Sequence, residues 1–272
     1  MKKFSVITIN YNNREGLRQT IESVIGQSFS DYEYIIIDGG STDGSVEVIK
    51  EYADKIDYWV SEPDNGIYNA MNKGILQAHG EYLNFMNSGD CFHDTSVLEK
   101  VNIVAKADLV LGRDYRNGCD DRGHGFGKQN ISLVDLWKEP INHQSAFIRR
   151  CLFEKYMYDE SYEIFADQKF FADVLIRDNC SFQNIEMIVV DYDENGLSAN
   201  SLLLDTERTR IFRELLPERV LVDYELFMNR YGLDAPILNY ISDLNKTYRF
   251  QHFVCALISF YMKIKNRLFI LK

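Results

Sequence analysis

The chain has 272 residues, 46% of them hydrophobic and 13% aromatic, and a formal charge of −11. That apolar content suits one sizeable α/β core and excludes a disordered chain. The acidic balance excludes general nucleic-acid binding, whose affinity comes from Lys and Arg neutralising phosphates.

The N-terminal half reads as strands alternating with helices. Phe4 to Ile9 is apolar and β-branched, as a strand buried on both faces is. Leu17, Ile21, Val24 and Ile25 then recur at helical spacing. Tyr34 to Ile37 is a second strand, and Ser41 or Thr42 is placed to cap a helix carrying Val46, Ile49 and Tyr52. Ile56 to Val60 predicts a strand, Ile67 to Gln77 a helix, and Tyr82 to Met86 another strand. A helix around Leu98 to Ala105 and a strand at Leu109 to Leu111 follow. Asn117 to Asn130 reads as a long Gly-rich loop, Phe165 to Arg177 as a helix, and the chain beyond Asn200 as helices. This order predicts an α/β fold with a mostly parallel central sheet flanked by helices, over residues 1–200. A helical C-terminal extension would cover 201–272.

Ligands of such sheets bind beyond the carboxyl ends of the strands. The polar loops there are Asn10-Tyr11-Asn12, Asp38-Gly39-Gly40, Ser61 to Gly66, and Asn87-Ser88-Gly89-Asp90. Asp90 at a strand end can offer hard oxygen to Mg2+ or Mn2+, which take one or two carboxylates and fill the shell with water and phosphate. The same four residues also make an ordinary turn. Asp38 can accept hydrogen bonds from a base or ribose, and the glycines after it let a backbone approach; a turn with a helix cap explains part of this segment. Lys73, within a predicted helix, can meet a phosphate as a point charge or lie solvated. Asp167 opens a predicted helix between Phe165 and Phe170, as a base in an apolar setting or as a cap. Gly123-His124-Gly125-Phe126-Gly127-Lys128 has the glycine density of a phosphate loop, but no strand precedes it, so it reads as an acceptor-side lid.

Taken in order, Ser5 to Asn12, the Asp38 turn, Asp64 to Gly74, and Gly80-Glu81-Tyr82 leading to Asn87-Ser88-Gly89-Asp90 resemble the N-terminal half of family 2 glycosyltransferases, which have the GT-A fold. The resemblance covers roughly residues 4–192 and is nearest to bacterial members that build surface polysaccharides. It implies a nucleotide-sugar donor held at Thr8, Asn10, Asp38, Asp64, Lys73, Ser88, Gly89 and His143. It implies Mn2+ or Mg2+ at Asp90, the last acid of the family's Asp-x-Asp motif, with Ser88 standing where the first acid belongs. Asn142 to Arg150 is similar to the family's His-Gln strand. Glu163 to Phe170 looks like its Ala-Asp segment, which makes Asp167 the catalytic base. A hexosyl- or N-acetylhexosaminyltransferase acting by inversion on a glycan or lipid-linked acceptor is then expected. The alternatives are a non-catalytic nucleotide-sugar-binding protein and a sugar nucleotidylyltransferase; the latter wants a Gly-rich basic loop after the first strand.

The five cysteines are scattered without a C-x-x-C pair, which fits a reducing compartment rather than a zinc or disulfide framework. The N-terminal segment lacks a signal peptide's apolar core, so a cytoplasmic location is expected. After Asp243 the chain carries Lys246, Arg249, Lys263, Lys265, Arg267 and Lys272 with no acid. Residues 249–272 read basic, apolar, basic, as a helix on the inner face of an anionic membrane or a helix packed on the core would.

Overall fold

The computed structural model describes residues 2–116, 119–121, 131–193 and 201–231. The 123–128 loop and the 249–272 tail lie outside the described residues. The chain divides into two compact units, residues 1–217 and 218–272.

Four parallel strands form the first half of the sheet: β1 (Phe4–Asn10), β2 (Tyr32–Asp38), β3 (Tyr58–Ser61) and β4 (Tyr82–Phe85). Every residue of β1 is buried, as an apolar strand covered on both faces requires. Phe4 and Val6 face the core shared with α1 (Arg14–Ile25) and α2 (Ser45–Glu51) through Leu17, Ile21, Val48 and Ile49. Alternation turns Ile7 to the other face, where α3 (Ile67–Gln77) packs against it. Since β2 and β4 flank β1 on opposite sides, the crevice beyond Asn10 is a topological switch point.

The second half is mixed. Among the described residues nine strands make one sheet, ordered β3-β2-β1-β4-β8-β6-β9-β5, with β7 paired to β6. Here β5 is Cys91–Phe92, β6 Leu109–Arg116, β7 Cys119–Asp121, β8 Ala146–Arg149 and β9 Phe182–Asp191. Strand β8 runs antiparallel to both β4 and β6, and β6 runs parallel to β9. Around them lie α4 (Val97–Val104), α5 (Leu133–Lys138), α6 (Ala166–Ala172) and α7 (Ser201–Leu215). The second unit contributes one described helix, α8 (Glu218–Tyr231). Among the described residues no helix is long and apolar enough to cross a membrane.

Four local expectations change. Gly44, not Ser41 or Thr42, caps α2, because the Ser41 hydroxyl is drawn to Asp38. Strand β6 runs to Arg116 rather than Leu111, since its far end pairs with both β7 and β9. The His143–Ser145 segment is a 3-10 turn that precedes β8 instead of forming part of it. Helix α6 passes into a π-helical turn at Asp173–Arg177.

Helix α7 belongs with the first unit through Glu207. Its buried carboxylate accepts three backbone hydrogen bonds, from the N–H groups of Glu163 (2.7 Å), Ile164 (3.1 Å) and Phe165 (3.0 Å). Those groups lead into the amino end of α6, where a negative charge also suits the helix dipole. Hydrogen bonds to a buried charge contribute more than neutral ones, and three orphaned donors would remain without it. Glu207→Ala is therefore expected to lower the free energy of unfolding by about 2–4 kcal/mol in urea titration.

Candidate active site at the carboxyl ends of the parallel strands

The four loops that the sequence singled out all lie on one rim, since β1 to β4 run in the same direction. Asp38 ends β2 fully buried and accepts four hydrogen bonds: from Asn10 Nδ2 (2.7 Å), Ser41 Oγ (2.6 Å), Ser41 N (2.9 Å) and Ser61 Oγ (2.6 Å). Burial alone would raise its carboxyl pKa, but the bonds from Ser41, Ser61 and Asn10 outweigh it and hold the group below its ordinary value. A carboxylate has about four acceptor positions. Asp38 has filled them with the loops after β1, β2 and β3, so it organises the rim; direct contact with a base, as expected from the sequence, would require breaking one of these bonds. Asn10 keeps a buried Oδ1 with no hydrogen-bond partner.

Beside Asp38, Gly39 leaves space that Asp64 occupies. A Cβ at position 39 would lie 2.5 Å from Asp64 Oδ2 and 3.2 Å from the Tyr11 ring. Asp64 also accepts from the Gly66 N–H at 3.0 Å. Tyr11 stands 68% exposed above this cradle. Lys73 donates to Glu62 Oε1 (2.7 Å) and to the Pro63 carbonyl (3.2 Å), so its charge braces the loop that carries Asp64. Thr8 is corrected: it is fully buried, with its hydroxyl on the Met86 carbonyl (2.8 Å) and beside Tyr34 Oη (3.0 Å). It holds β1 against β4 beneath the rim, where a nucleotide has no access.

The turn after β4 is fixed from α1. Thr20 Oγ1 accepts from Gly89 N (2.9 Å) and donates to the Asp90 carbonyl (2.7 Å), while Asn13 Nδ2 donates to the Ser88 carbonyl (3.0 Å). Gly89 has φ +107°, a conformation natural to glycine, and a Cβ there would meet Asp193 Oδ2 at 2.6 Å. Asp90 is 4% exposed and accepts from the Asp193 N–H (2.9 Å) and from Gln144 Nε2 (3.1 Å). Burial pushes its pKa up to about 6; those two bonds and His143 restrain the rise, and the Asp193 carboxylate adds to it.

The third cluster centres on Asp167, 6% exposed in the first turn of α6. Phe165 is the N-cap, so Asp167 is not a helix cap. Its Oδ1 accepts from Tyr68 Oη (3.0 Å) and Gln168 N (2.8 Å), and its Oδ2 from His143 Nδ1 (2.8 Å) and Gln168 Nε2 (3.2 Å). Burial, with the Asp167 charge second, holds the Tyr68 hydroxyl well above its ordinary pKa, so it stays a donor. The other ring nitrogen of His143 lies 3.1 Å from Asn87 Nδ2, in the turn that carries Asp90. The neighbouring side chains His143 and Gln144 thus link the two buried acids, one to Asp167 and the other to Asp90.

The family model described as "Glycosyl transferase family 2" matches residues 5–157. The chain belongs to this family of glycosyltransferases. It is 32% identical over 203 residues to an uncharacterised glycosyltransferase of Mycobacterium tuberculosis, covering 72% of this chain and 77% of that one. It is 27% identical over 209 residues to a PGL/p-HBAD biosynthesis glycosyltransferase of Mycobacterium bovis, covering 74% and 80%. Among solved structures it resembles S. aureus TarS 1-349 in complex with UDP, with TM-score 0.62 and 18% identity. That likeness covers 77% of this chain, which spans 64% of the TarS chain's length. It also resembles glucosyl-3-phosphoglycerate synthase from Mycobacterium tuberculosis in complex with Mn2+, UDP and glucosyl-3-phosphoglycerate, with TM-score 0.56 and 15% identity over 80% of this chain and 81% of that one. These likenesses show the GT-A fold. Family membership sets aside the nucleotidylyltransferase alternative.

Sequence reasoning picked out the loops of this rim but did not single out Tyr11, Tyr68, Gln144 or Asp193. The first three stood inside segments named for other residues; Asp193 had no motif to mark it. The Asp90 environment yields a prediction. Its folded pKa lies above the ordinary carboxyl value, so its ionisation opposes folding: the contribution of Asp90 to stability is fully present below about pH 4 and is lost as pH rises through about 6. Without metal, Asp90→Asn is expected to be more stable than wild type at pH 7.5, by on the order of 1–3 kcal/mol. The difference should vanish near pH 4, as read by denaturant midpoints at both pH values.

Proposed function

We propose that the chain is an inverting glycosyltransferase that moves a hexosyl or N-acetylhexosaminyl group from a nucleoside diphosphate sugar to an acceptor hydroxyl. The observation that carries this reading is the bridge at the rim: His143-Gln144 brings a buried acid suited to a proton, Asp167, beside a buried acid suited to a cation, Asp90. The proposed nucleoside site is the cradle of Tyr11, Gly39 and Asp64, on the rim that Asn10 and Asp38 hold. Exposed Tyr11 offers a flat face for a base. Lys73, paired with Glu62 behind the Asp64 loop, would meet the donor's phosphates only by leaving that pair.

Among the described residues no group of three or more His, Cys, Asp or Glu side chains forms a metal site. The residues at Asp90 nevertheless fit a hard cation completed by phosphate. A buried acid with a second carboxylate alongside offers the hard oxygens such cations take. Asp90, Asp193 and the Ser88 hydroxyl would hold Mn2+ or Mg2+, with Asp193 offsetting the acid missing at Ser88. When bound, the ion offsets charge on the departing nucleoside diphosphate. The TarS structure with UDP and the Mn2+–UDP synthase structure support the donor class and the metal.

The reaction is a single displacement. The acceptor oxygen forms a bond to the anomeric carbon as the bond from that carbon to the diphosphate oxygen breaks. The acceptor's proton passes to the Asp167 centre. Inversion needs no enzyme nucleophile. Two neutral walls, the Phe85 and Tyr158 rings, back this centre and limit water around it. Surface-glycan assembly, on a glycan or lipid-linked acceptor, is supported by the PGL/p-HBAD relative. The basic and apolar composition of residues 249–272 supports an anionic membrane surface as the meeting place. Co-sedimentation with anionic liposomes tests that contact, and a chain ending at Thr247 should lose it.

Thermal shift with UDP, GDP, dTDP and CDP, each with and without Mn2+, tests the donor site. One nucleotide should raise the midpoint in a metal-dependent way; at roughly 100 times its Kd it adds about 2.7 kcal/mol of stability. Asp193→Ala should keep the nucleotide shift but weaken its Mn2+ dependence, and no shift with any nucleotide would count against the reading. Asp167→Asn is expected to lower turnover by about 100- to 10,000-fold while donor binding persists. Equal loss of binding would remove Asp167 from the chemistry, and nucleotide binding without any transfer or donor hydrolysis would leave a binding protein.

A further inference from the structure

The hydrogen-bond donors around Asp167 come from two halves of the sheet. Gln168, through its backbone N–H and its side-chain amide, and His143 belong to the mixed half. The Tyr68 hydroxyl, 3.0 Å from Oδ1, comes from α3 in the parallel half, 99 residues earlier in the chain. Tyr68 thus ties the acid to the half of the sheet that carries the proposed nucleoside cradle.

We infer that Tyr68 is a positioning residue for the transfer, whose hydroxyl holds the Asp167 carboxylate at a fixed place relative to the donor site. The inference rests on the transfer reading given above, with Asp167 as the base, and adds the residue that aims that base. Tyr68 acts through Asp167 and takes no proton itself. An ionised carboxylate only accepts hydrogen bonds, so the phenol is the donor in this pair. Its hydroxyl is held well above the ordinary tyrosine range, first by burial and then by the Asp167 charge, so it keeps the hydrogen it donates.

The hydroxyl can aim the acid because its own position is fixed. Tyr68 is 4% exposed, with its ring 5.6 Å from that of Tyr158, which in turn meets Phe85 (5.5 Å) and Phe170 (5.6 Å). One turn further along α3, Asn72 donates to the Tyr158 carbonyl (2.9 Å) and accepts from its N–H (3.0 Å). On the sheet side of α3, a Cβ at Gly74 would lie 2.5 Å from Ile7 Cγ2, so a glycine lets the helix seat directly on β1. At its amino end the helix follows the loop in which Asp64 accepts from the Gly66 N–H at 3.0 Å. The cradle and the base are therefore joined through Asp64, Gly66 and Tyr68, with no flexible segment between them.

The physical need for such a strut is plain. Asp167 sits in the first turn of a helix of seven residues and can swing about its side-chain bonds. A base misplaced by about 1 Å loses on the order of 100-fold in rate. A hydrogen bond that only satisfied a buried acid would change stability and leave the rate of each folded molecule unaltered. One that aims a base changes the rate, and does so only while the base is present.

The test uses the full chain with Mn2+ and UDP-glucose, UDP-N-acetylglucosamine, GDP-mannose and dTDP-glucose in turn. Release of the nucleoside diphosphate to water is followed at enzyme concentrations high enough for slow variants. Wild-type release is measured first; nucleotide binding without release from any of these donors would fail the transfer reading itself and take the inference with it. Tyr68→Phe is expected to lower kcat by about 10- to 100-fold, the range of a hydrogen bond to a charged group, with donor KM and the nucleotide thermal shift retained. In the Asp167→Asn background the same change should lower release by less than about 3-fold, because the carboxylate it acts through is gone. Tyr34→Phe, which removes a buried hydroxyl beside Thr8 beneath the rim, should leave kcat within about 3-fold of wild type. A fall smaller than about 10-fold for Tyr68→Phe, or an equal fall in both backgrounds, would overturn the inference. A fall in kcat for Tyr34→Phe that matches the one for Tyr68→Phe would also overturn it, by assigning the effect to lost packing beneath the rim.

Discussion

Two buried acids share one rim, and one dipeptide serves both. Asp90 lies in the turn after β4 and Asp167 in the first turn of α6, yet His143 reaches Asp167 and Gln144 reaches Asp90. A carboxylate taken out of water is costly unless donors replace its hydration. Asp167 is supplied with four, in a setting of aromatic rings. Asp90 receives two and lies next to another acid, so its charge is left under-compensated. The contrast separates the proposed roles: the acid surrounded by donors lies on the proton side, and the one crowded by a second acid is poised for a cation.

The two halves of the sheet carry different parts of this arrangement. The parallel half supplies loops that cross-link one another through Asp38, and this polar knot replaces the rigidity that a rim of short loops lacks. The mixed half carries the His143–Ser145 turn, with α6 beside it. Helix α3 ties them together, since Tyr68 donates to Asp167 and Asn72 exchanges hydrogen bonds with the backbone of Tyr158. The loop that holds Asp64 leads directly into that helix. Donor-side and proton-side groups are therefore braced by one element, which limits how far either can drift from the other.

Outside the rim, Glu207 shows how the helical part supports the site without entering it. By satisfying three backbone donors ahead of α6, it fixes where that helix begins and hence where Asp167 projects. Helix α7 thus lies within the first compact unit, beyond the residue 200 boundary expected from the order of elements.

The parallel half was legible in the sequence because its signals are local. Continuous apolar runs mark strands buried on both faces, helical spacing marks the helices between them, and polar residues collect where strands end. Asp38, Asp64 and Asp90 stood out for that reason, whereas Asp167 was marked by its place at a predicted helix start and His143 by its motif. What only the tertiary structure decided are the partners. Strand direction in the second half depends on pairings between distant segments, which no local period encodes. The Thr8 hydroxyl is turned inward because β1 lies against β4, and Asp193 meets Gly89 because β9 pairs with β5. Whether an acid is open, saturated or crowded by another acid is set by neighbours far away in the chain, and that decides its chemistry.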